Sequence, residues 1–193
     1  LVRVAPDNKC KASESSIFRF IKRTSPAQAY HILFDNCFFT IKNDSIVYQS
    51  NSLKGKVYSG TWSGDSLFIN TEVGTYSFKN RSLQYLAESF ELLNQRVYSI
   101  TSFQNEVWFS VRNAGIQRLK DNRLQTLKFK GRELQKGAVV KENDSSIWIV
   151  ARQGSFNYTI DKSGEIIASA YARIPQTVAG DIKVSHNAIL WGT

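Results

Sequence analysis

Short runs rich in Val, Ile, Phe, Tyr, Trp and Thr recur along the chain, separated by clusters of Asn, Asp, Ser and Gly. β-Branched and aromatic side chains fit a pleated, half-buried surface, so these runs predict strands. The dividers include Asn43-Asp44-Ser45, Gly64-Asp65-Ser66, Asp121-Asn122, Asn143-Asp144-Ser145-Ser146 and Lys162-Ser163-Gly164. Asn, Asp and Gly tolerate positive φ, which tight hairpin turns require. Leu83, Leu86, Phe90 and Leu93 are spaced as an apolar helical stripe, and elsewhere helical periodicity is scarce. The expected fold class is all-β.

The strands repeat. Asp65–Thr71, Asn105–Val111, Ser145–Ala151 and Asn187–Thr193 align, and their first apolar residues, Leu67, Val107, Ile147 and Ile189, are 40, 40 and 42 residues apart. An alternating strand precedes each of the last three, as at Val97–Phe103. A third strand follows the turns at Gly74, Gly115 and Gly154, and a weaker fourth closes each unit: Leu83–Leu86, Leu124–Phe129 and Glu165–Ala170. Four strands in about 40 residues is the pattern of a β-propeller blade. A sandwich has no need of so regular a spacing, and a solenoid has shorter coils. The expectation is a single β-propeller region over 1–193, built of four-stranded antiparallel blades in an incomplete or partial ring. Residues 1–64 hold degenerate blades, 65–104, 105–144 and 145–186 are clearer units, and 187–193 begin a further blade. Ile17–Lys22 is expected as an outer strand of a still earlier unit.

Charge narrows the partners. Among 193 residues, 25 are Lys or Arg and 16 are Asp or Glu, a net charge of +9. Such a surplus favours anionic partners. No nucleic-acid module is present, so nucleic acid is not expected. No apolar run approaches the ~18 residues of a membrane helix. Two cysteines, Cys10 and Cys37, exclude a disulfide-rich scaffold and a four-Cys zinc site, and two histidines, His31 and His186, exclude a His-rich metal centre within this chain. Neither a metal nor a cofactor is expected. The cysteines fit either one bridge or unpaired thiols. Leu1 is not an initiator Met, and Ala188–Thr193 stops inside an apolar run, so a piece of a longer polypeptide is expected.

Signatures of catalysis are missing: there is no phosphate loop, no GxSxG elbow and no His-Glu-x-x-His. No catalytic residue is assigned. Trp62, Trp108, Trp148 and Trp191 read as packing between blades, with sugar stacking the sharper alternative. Sequons occur at Asn43, Asn80, Asn143 and Asn157. Propeller topology brings the loop between second and third strands to the same face as the loop linking blades. That face collects Glu72, Arg112 and Arg152 from the first set, and Arg96, Lys130, Arg132 and Arg173 from the second. Arginine forks can donate paired hydrogen bonds to carboxylate or sulfate. The expected ligand is therefore an acidic oligosaccharide or an acidic protein partner.

Leu93-Asn-Gln-Arg-Val-Tyr-Ser-Ile100, Asn105-Glu-Val-Trp-Phe-Ser-Val111 and Gly115-Ile-Gln-Arg-Leu119 together resemble the two-component regulator propeller repeat. The units at Trp148 and Trp191 resemble it too, although Phe68 and Leu190 replace the Trp and Ser155-Phe156 replaces Gly-Leu. The resemblance covers residues 65–193 better than 1–64. It implies the periplasmic or extracellular part of a membrane-bound sensor histidine kinase of the Bacteroidetes type, responding to glycans or another ligand. It implies no enzyme activity in this chain, and attachment to the membrane only through the parent polypeptide. A scaffold for protein interaction, or a carbohydrate-active lyase or glycosidase, are the alternatives. Open blade edges lead to an expectation of self-association.

Overall fold

The structure, a computed structural model, describes residues 18–22, 30–34, 37–42, 45–50, 53–129, 132–134, 137–141, 145–151, 154–160, 166–172, 182–185 and 188–191. These form two compact units, Leu1–Arg96 and Val97–Thr193.

The first unit holds two four-stranded antiparallel sheets. One runs β1 (Phe18–Lys22), β2 (Tyr30–Phe34), β3 (Cys37–Lys42) and β4 (Ser45–Ser50). The other runs β5 (Val57–Ser63), β6 (Ser66–Thr71), β7 (Gly74–Lys79) and β8 (Ser82–Tyr85). The second unit repeats the arrangement with β9 (Val97–Phe103), β10 (Glu106–Val111), β11 (Gly115–Lys120) and β12 (Arg123–Thr126). A small hairpin follows, β13 (Lys128–Phe129) with β14 (Arg132–Glu133). Next comes the sheet of β15 (Gly137–Lys141), β16 (Ser146–Ala151), β17 (Gly154–Ile160) and β18 (Ile166–Ala172), and last the hairpin of β19 (Ile182–Ser185) and β20 (Ala188–Trp191). In every sheet each strand pairs with its neighbour in sequence. This is the up-and-down order of a propeller blade, and the β-propeller reading holds.

Each sheet begins one strand before the unit drawn on the aromatic strands. Two expectations are corrected. Phe18–Lys22 is the first strand of the first sheet, paired with β2 from Phe18↔Phe34 to Lys22↔Tyr30, and not the outer strand of an earlier unit. The stripe at Leu83, Leu86, Phe90 and Leu93 forms no α-helix. Leu83 lies in β8, Leu86 and Leu93 lie in two short 3₁₀ turns, Leu86–Glu88 and Glu91–Asn94, and Phe90 lies between the turns. The start of the stripe is taken into the sheet, where Leu83 pairs with Phe78 and Tyr85 with Tyr76. The stripe buries Leu86 and Leu93 without a helix.

Local chemistry sets the turns. Asn80-Arg81, Gln104-Asn105 and Asp121-Asn122 link their strands as two-residue loops with both φ angles positive. Such loops match the twist of the strands they join.

The first unit is packed through aromatic rings. Phe38, Leu67, Ile69, Tyr76 and Phe78 share a buried cluster with Leu53 and Val57. Phe38 meets Phe78 edge-on at 4.5 Å, while His31 stacks on Phe38 at 5.7 Å and tilts against Trp62 at 4.9 Å. His31 is buried, with Nδ1 3.0 Å from the Thr40 hydroxyl. In the second unit, Phe103, Trp108, Ile116, Leu134, Ile147 and Ile149 form the corresponding cluster, joining the sheets β9–β12 and β15–β18. Trp108 belongs to the cluster that joins two sheets, Trp62 is half-buried against the cluster of the first unit, and Trp148 is buried. The side chain of Trp191 lies outside the described residues.

Cys37 is fully buried and disulfide-bonded. Cys10, the one other cysteine in the chain, lies outside the described residues. Cross-linking stabilises by restricting the unfolded chain, so Cys37→Ala is expected to cost about 3 kcal/mol. Urea melts of the oxidised protein and the variant measure this loss, and a thiol assay on unfolded, unreduced protein should find no free thiol.

Candidate functional site

The interesting chemistry lies at the two ends of each blade. At one end of the first unit, the β6–β7 turn carries Glu72 and Val73. The Thr71 hydroxyl donates to the Gly74 carbonyl at 2.9 Å and accepts from the Val73 N–H at 3.4 Å, so the turn is held by its own side chain. The Glu72 N–H donates to the Lys56 carbonyl at 2.8 Å, fastening the turn to the segment entering β5. Beneath the turn, the Tyr85 hydroxyl donates to the Val73 carbonyl at 2.8 Å. Burial raises the Tyr85 pKa, with Tyr76 and then Glu88 adding, which keeps that proton on the donor. The 3₁₀ turns close this end, and Arg96 leaves them with its guanidinium 5.4 Å from the Tyr58 ring centre. Cation and ring face attract at this separation.

The same end of the second unit carries Arg112 in the β10–β11 turn. Here the Gln117 side-chain amide donates to the Ala114 carbonyl and accepts from the Thr126 hydroxyl at 3.0 Å. Asn113 and Gly115 adopt positive φ. These contacts fix the turn while Arg112 stands exposed.

Of the seven residues expected to form a binding face, Glu72 and Arg96 share one end of the first unit, and both are exposed. Arg112 occupies in the second unit the place Glu72 holds in the first. Arg132 lies in β14 within the connection between sheets. Arg152, Lys130 and Arg173 lie outside the described residues. At the end of the first unit, Glu72, Glu88 and Glu91 stand beside Lys54, Lys56 and Arg96, all exposed, so charge there is mixed.

A second cluster sits at the opposite end of the β9–β12 blade. Glu106 is 6 % exposed, with Lys120 Nζ 3.2 Å from one carboxylate oxygen and Arg118 Nη1 3.7 Å from the other. Arg118 also lies 5.8 Å from the Trp108 ring centre and donates to the Gln125 side chain at 2.6 Å. Removing a charge from water is costly, so a buried carboxylate needs cations this close. In the β15–β18 blade the equivalent slot holds Ser146 and Asn157, joined by a neutral hydrogen bond of 2.8 Å. No short motif in the sequence marks Glu106 or Arg118. The available signal was the repeat itself, which has Ser66, Ser146 and Ala188 where this blade has Glu106.

No protein-family model matches the chain, and no curated protein matches it in sequence. Solved structures do match in fold. A chain in the S. cerevisiae structure of Dbp5 bound to Nup159, Gle1, IP6 and ADP superposes with a TM-score of 0.60 at 8 % identity, over 90 % of this chain and 57 % of that one. BamB from Moraxella catarrhalis gives 0.54 at 11 % identity, over 89 % of this chain and 58 % of its own. The extracellular domain of BT4673 from B. thetaiotaomicron, described as a hybrid two component system, gives 0.52 at 17 % identity, over 75 % of this chain and 21 % of its own. The chain therefore spans less than three fifths of each of these neighbours. At such identities the likeness establishes the fold: the chain is a set of β-propeller blades.

Proposed function

We propose that the chain is the binding part of the extracytoplasmic region of a two-component sensor. One observation carries this reading. The stretches that resemble the two-component regulator repeat, Leu93–Ile100, Asn105–Val111 and Gly115–Leu119, fall in order on the entry and three successive strands of one blade, β9 to β11. The fold likeness to the BT4673 extracellular domain supports it. So does the disulfide at Cys37, because such bonds persist in oxidising compartments. On this reading the blades bind a ligand and transmit its presence through other parts of a longer polypeptide.

The test is a thermal-melting screen against neutral and acidic oligosaccharides. A ligand that binds only the folded chain adds about 2.7 kcal/mol at 100 times its dissociation constant, enough to raise the melting temperature visibly. A rise with any of them supports the sensor. A flat screen favours a second reading, a scaffold for protein partners. That reading has its own observation: Val73, Leu92 and Tyr98 are large apolar side chains left exposed at blade entries and turns.

A further inference from the structure

Both faces of the sheet β1–β4 are buried at strand β3. One face looks to β5–β8: Phe38 meets Phe78 there at 4.5 Å, and Tyr48 lies 4.8 Å from the same ring. Side chains alternate along a strand, so Cys37, Phe39 and Ile41 belong to the other face. They are 0 %, 4 % and 7 % exposed. None of the three joins the cluster that the described residues share with β5–β8. Neighbouring strands shield the flanks of a side chain and leave its tip bare, so burial this deep needs a layer above the sheet. The register shows what that layer covers. Phe20, Ile32 and Phe39 form one row across the sheet, and Phe18, Phe34 and Cys37 form another. Cover thins away from Cys37: Tyr30 and Ile46, the register partners of Ile41, are each 39 % exposed.

The disulfide points to the occupant. Cys37 is bonded, and Cys10 is the one other cysteine in the chain. A disulfide holds its two Cα atoms within about 7 Å, which brings Cys10 over the face that Cys37 belongs to. The connection is long enough. Phe18 lies two strands from Cys37, roughly 10 Å across the sheet. Residues 11–17 link Cys10 to Phe18, and a segment of that length can reach about 23 Å. On the other side of Cys10, Leu1, Val2, Val4 and Ala5 supply apolar groups for the remaining rows.

We propose that the segment around Cys10 is a strap, locked by the Cys10–Cys37 disulfide, that covers the face of the first sheet away from β5–β8. A dithiol opens the lock: its two thiols give two electrons and two protons to the S–S bond, leaving two cysteine thiols and a cyclic disulfide. The strap then leaves, and the apolar rows meet water. It suits a sensor or a scaffold equally, so it stands apart from the sensor reading. The test is hydroxyl-radical footprinting, read residue by residue. It compares the oxidised chain, the chain reduced with dithiothreitol, and Cys10→Ser. Phe38 and Phe39 are adjacent in sequence and lie on opposite faces, so Phe38 is the internal control. Labelling of Phe39 is expected to rise several-fold on reduction and in Cys10→Ser. Phe38, packed on Phe78, should stay protected. In folded Cys10→Ser, the Cys37 thiol should react with a thiol reagent. Three results would overturn the proposal. Phe39 that stays protected in both the reduced chain and Cys10→Ser would mean that the cover comes from elsewhere. Equal rises at Phe38 and Phe39 would mean that the sheet opens and no separate strap leaves it. A peptide map of the oxidised chain without a Cys10–Cys37 link would remove the lock itself.

Discussion

Trp108→Ala is expected to destabilise the chain by about 4 kcal/mol, a large part of the stability of an ordinary domain. Trp108 is fully buried on β10, within a cluster that joins two blades through Phe103, Ile116, Leu134, Ile147 and Ile149. Truncation removes the transfer energy of the indole and leaves a cavity that rigid strands on either side collapse poorly to fill. Arg118 would also lose the ring it lies over while remaining next to Glu106. Trp108→Phe should cost much less, about 1 kcal/mol. Phe68 fills the same slot in the preceding blade, and the Trp108 Nε1–H makes no hydrogen bond that Phe would forfeit. Chemical denaturation of the two variants measures both losses. Near-equal losses would mean that the indole itself, and not bulk at this junction, carries the stability.

The second large effect is expected at Gly74. Its φ is +145°, and a Cβ there would lie 2.6 Å from the Tyr85 hydroxyl oxygen and 2.8 Å from the Leu93 carbonyl oxygen. Tyr85 could swing aside only by giving up its bond to the Val73 carbonyl. Leu93 is fully buried, so its backbone has no room to retreat. Gly74→Ala therefore combines backbone strain with a clash and should cost about 3 kcal/mol. Gly64 is the contrast. It also has positive φ, at 54°, but an added Cβ there meets nothing within 4 Å. Gly64→Ala should cost about 1 kcal/mol, from conformational strain alone. Equal melting temperatures for the two variants would show that the contacts around Gly74 yield without cost.

How far the sequence could be read depended on whether the relevant information was periodic. The strands were legible because four alternating segments return at the spacing of Leu67, Val107 and Ile147, and tertiary packing agrees with that local pattern. The turns were legible where they contain Gly64 or Asp121-Asn122. Gln104-Asn105 was not, since nothing about Gln announces a positive φ. The stripe at Leu83–Leu93 misled because burial of Leu86 and Leu93 fixes spacing without fixing backbone geometry. Tyr58 and Tyr98 were visible as letters, but the register steps at which they are inserted show only in the pairing of strands. Glu106 was hidden for a related reason. Its cations, Arg118 and Lys120, belong to the neighbouring strand, and no short motif spans that distance.

The order of strands has a kinetic consequence. Every ladder among the described residues joins strands consecutive in the sequence, so no blade waits for a distant segment to complete its pairing. Relative contact order is kept low for an all-β chain, and loop-closure entropy is lost in small steps. During synthesis, a sheet such as β5–β8 can close once its four strands have emerged, before the residues of the next blade exist. The cluster containing Trp108 takes residues from two sheets, and it must form later, when one finished blade docks on another. Trp108→Ala should accordingly speed unfolding more than it slows folding, a partition that a chevron plot reads directly.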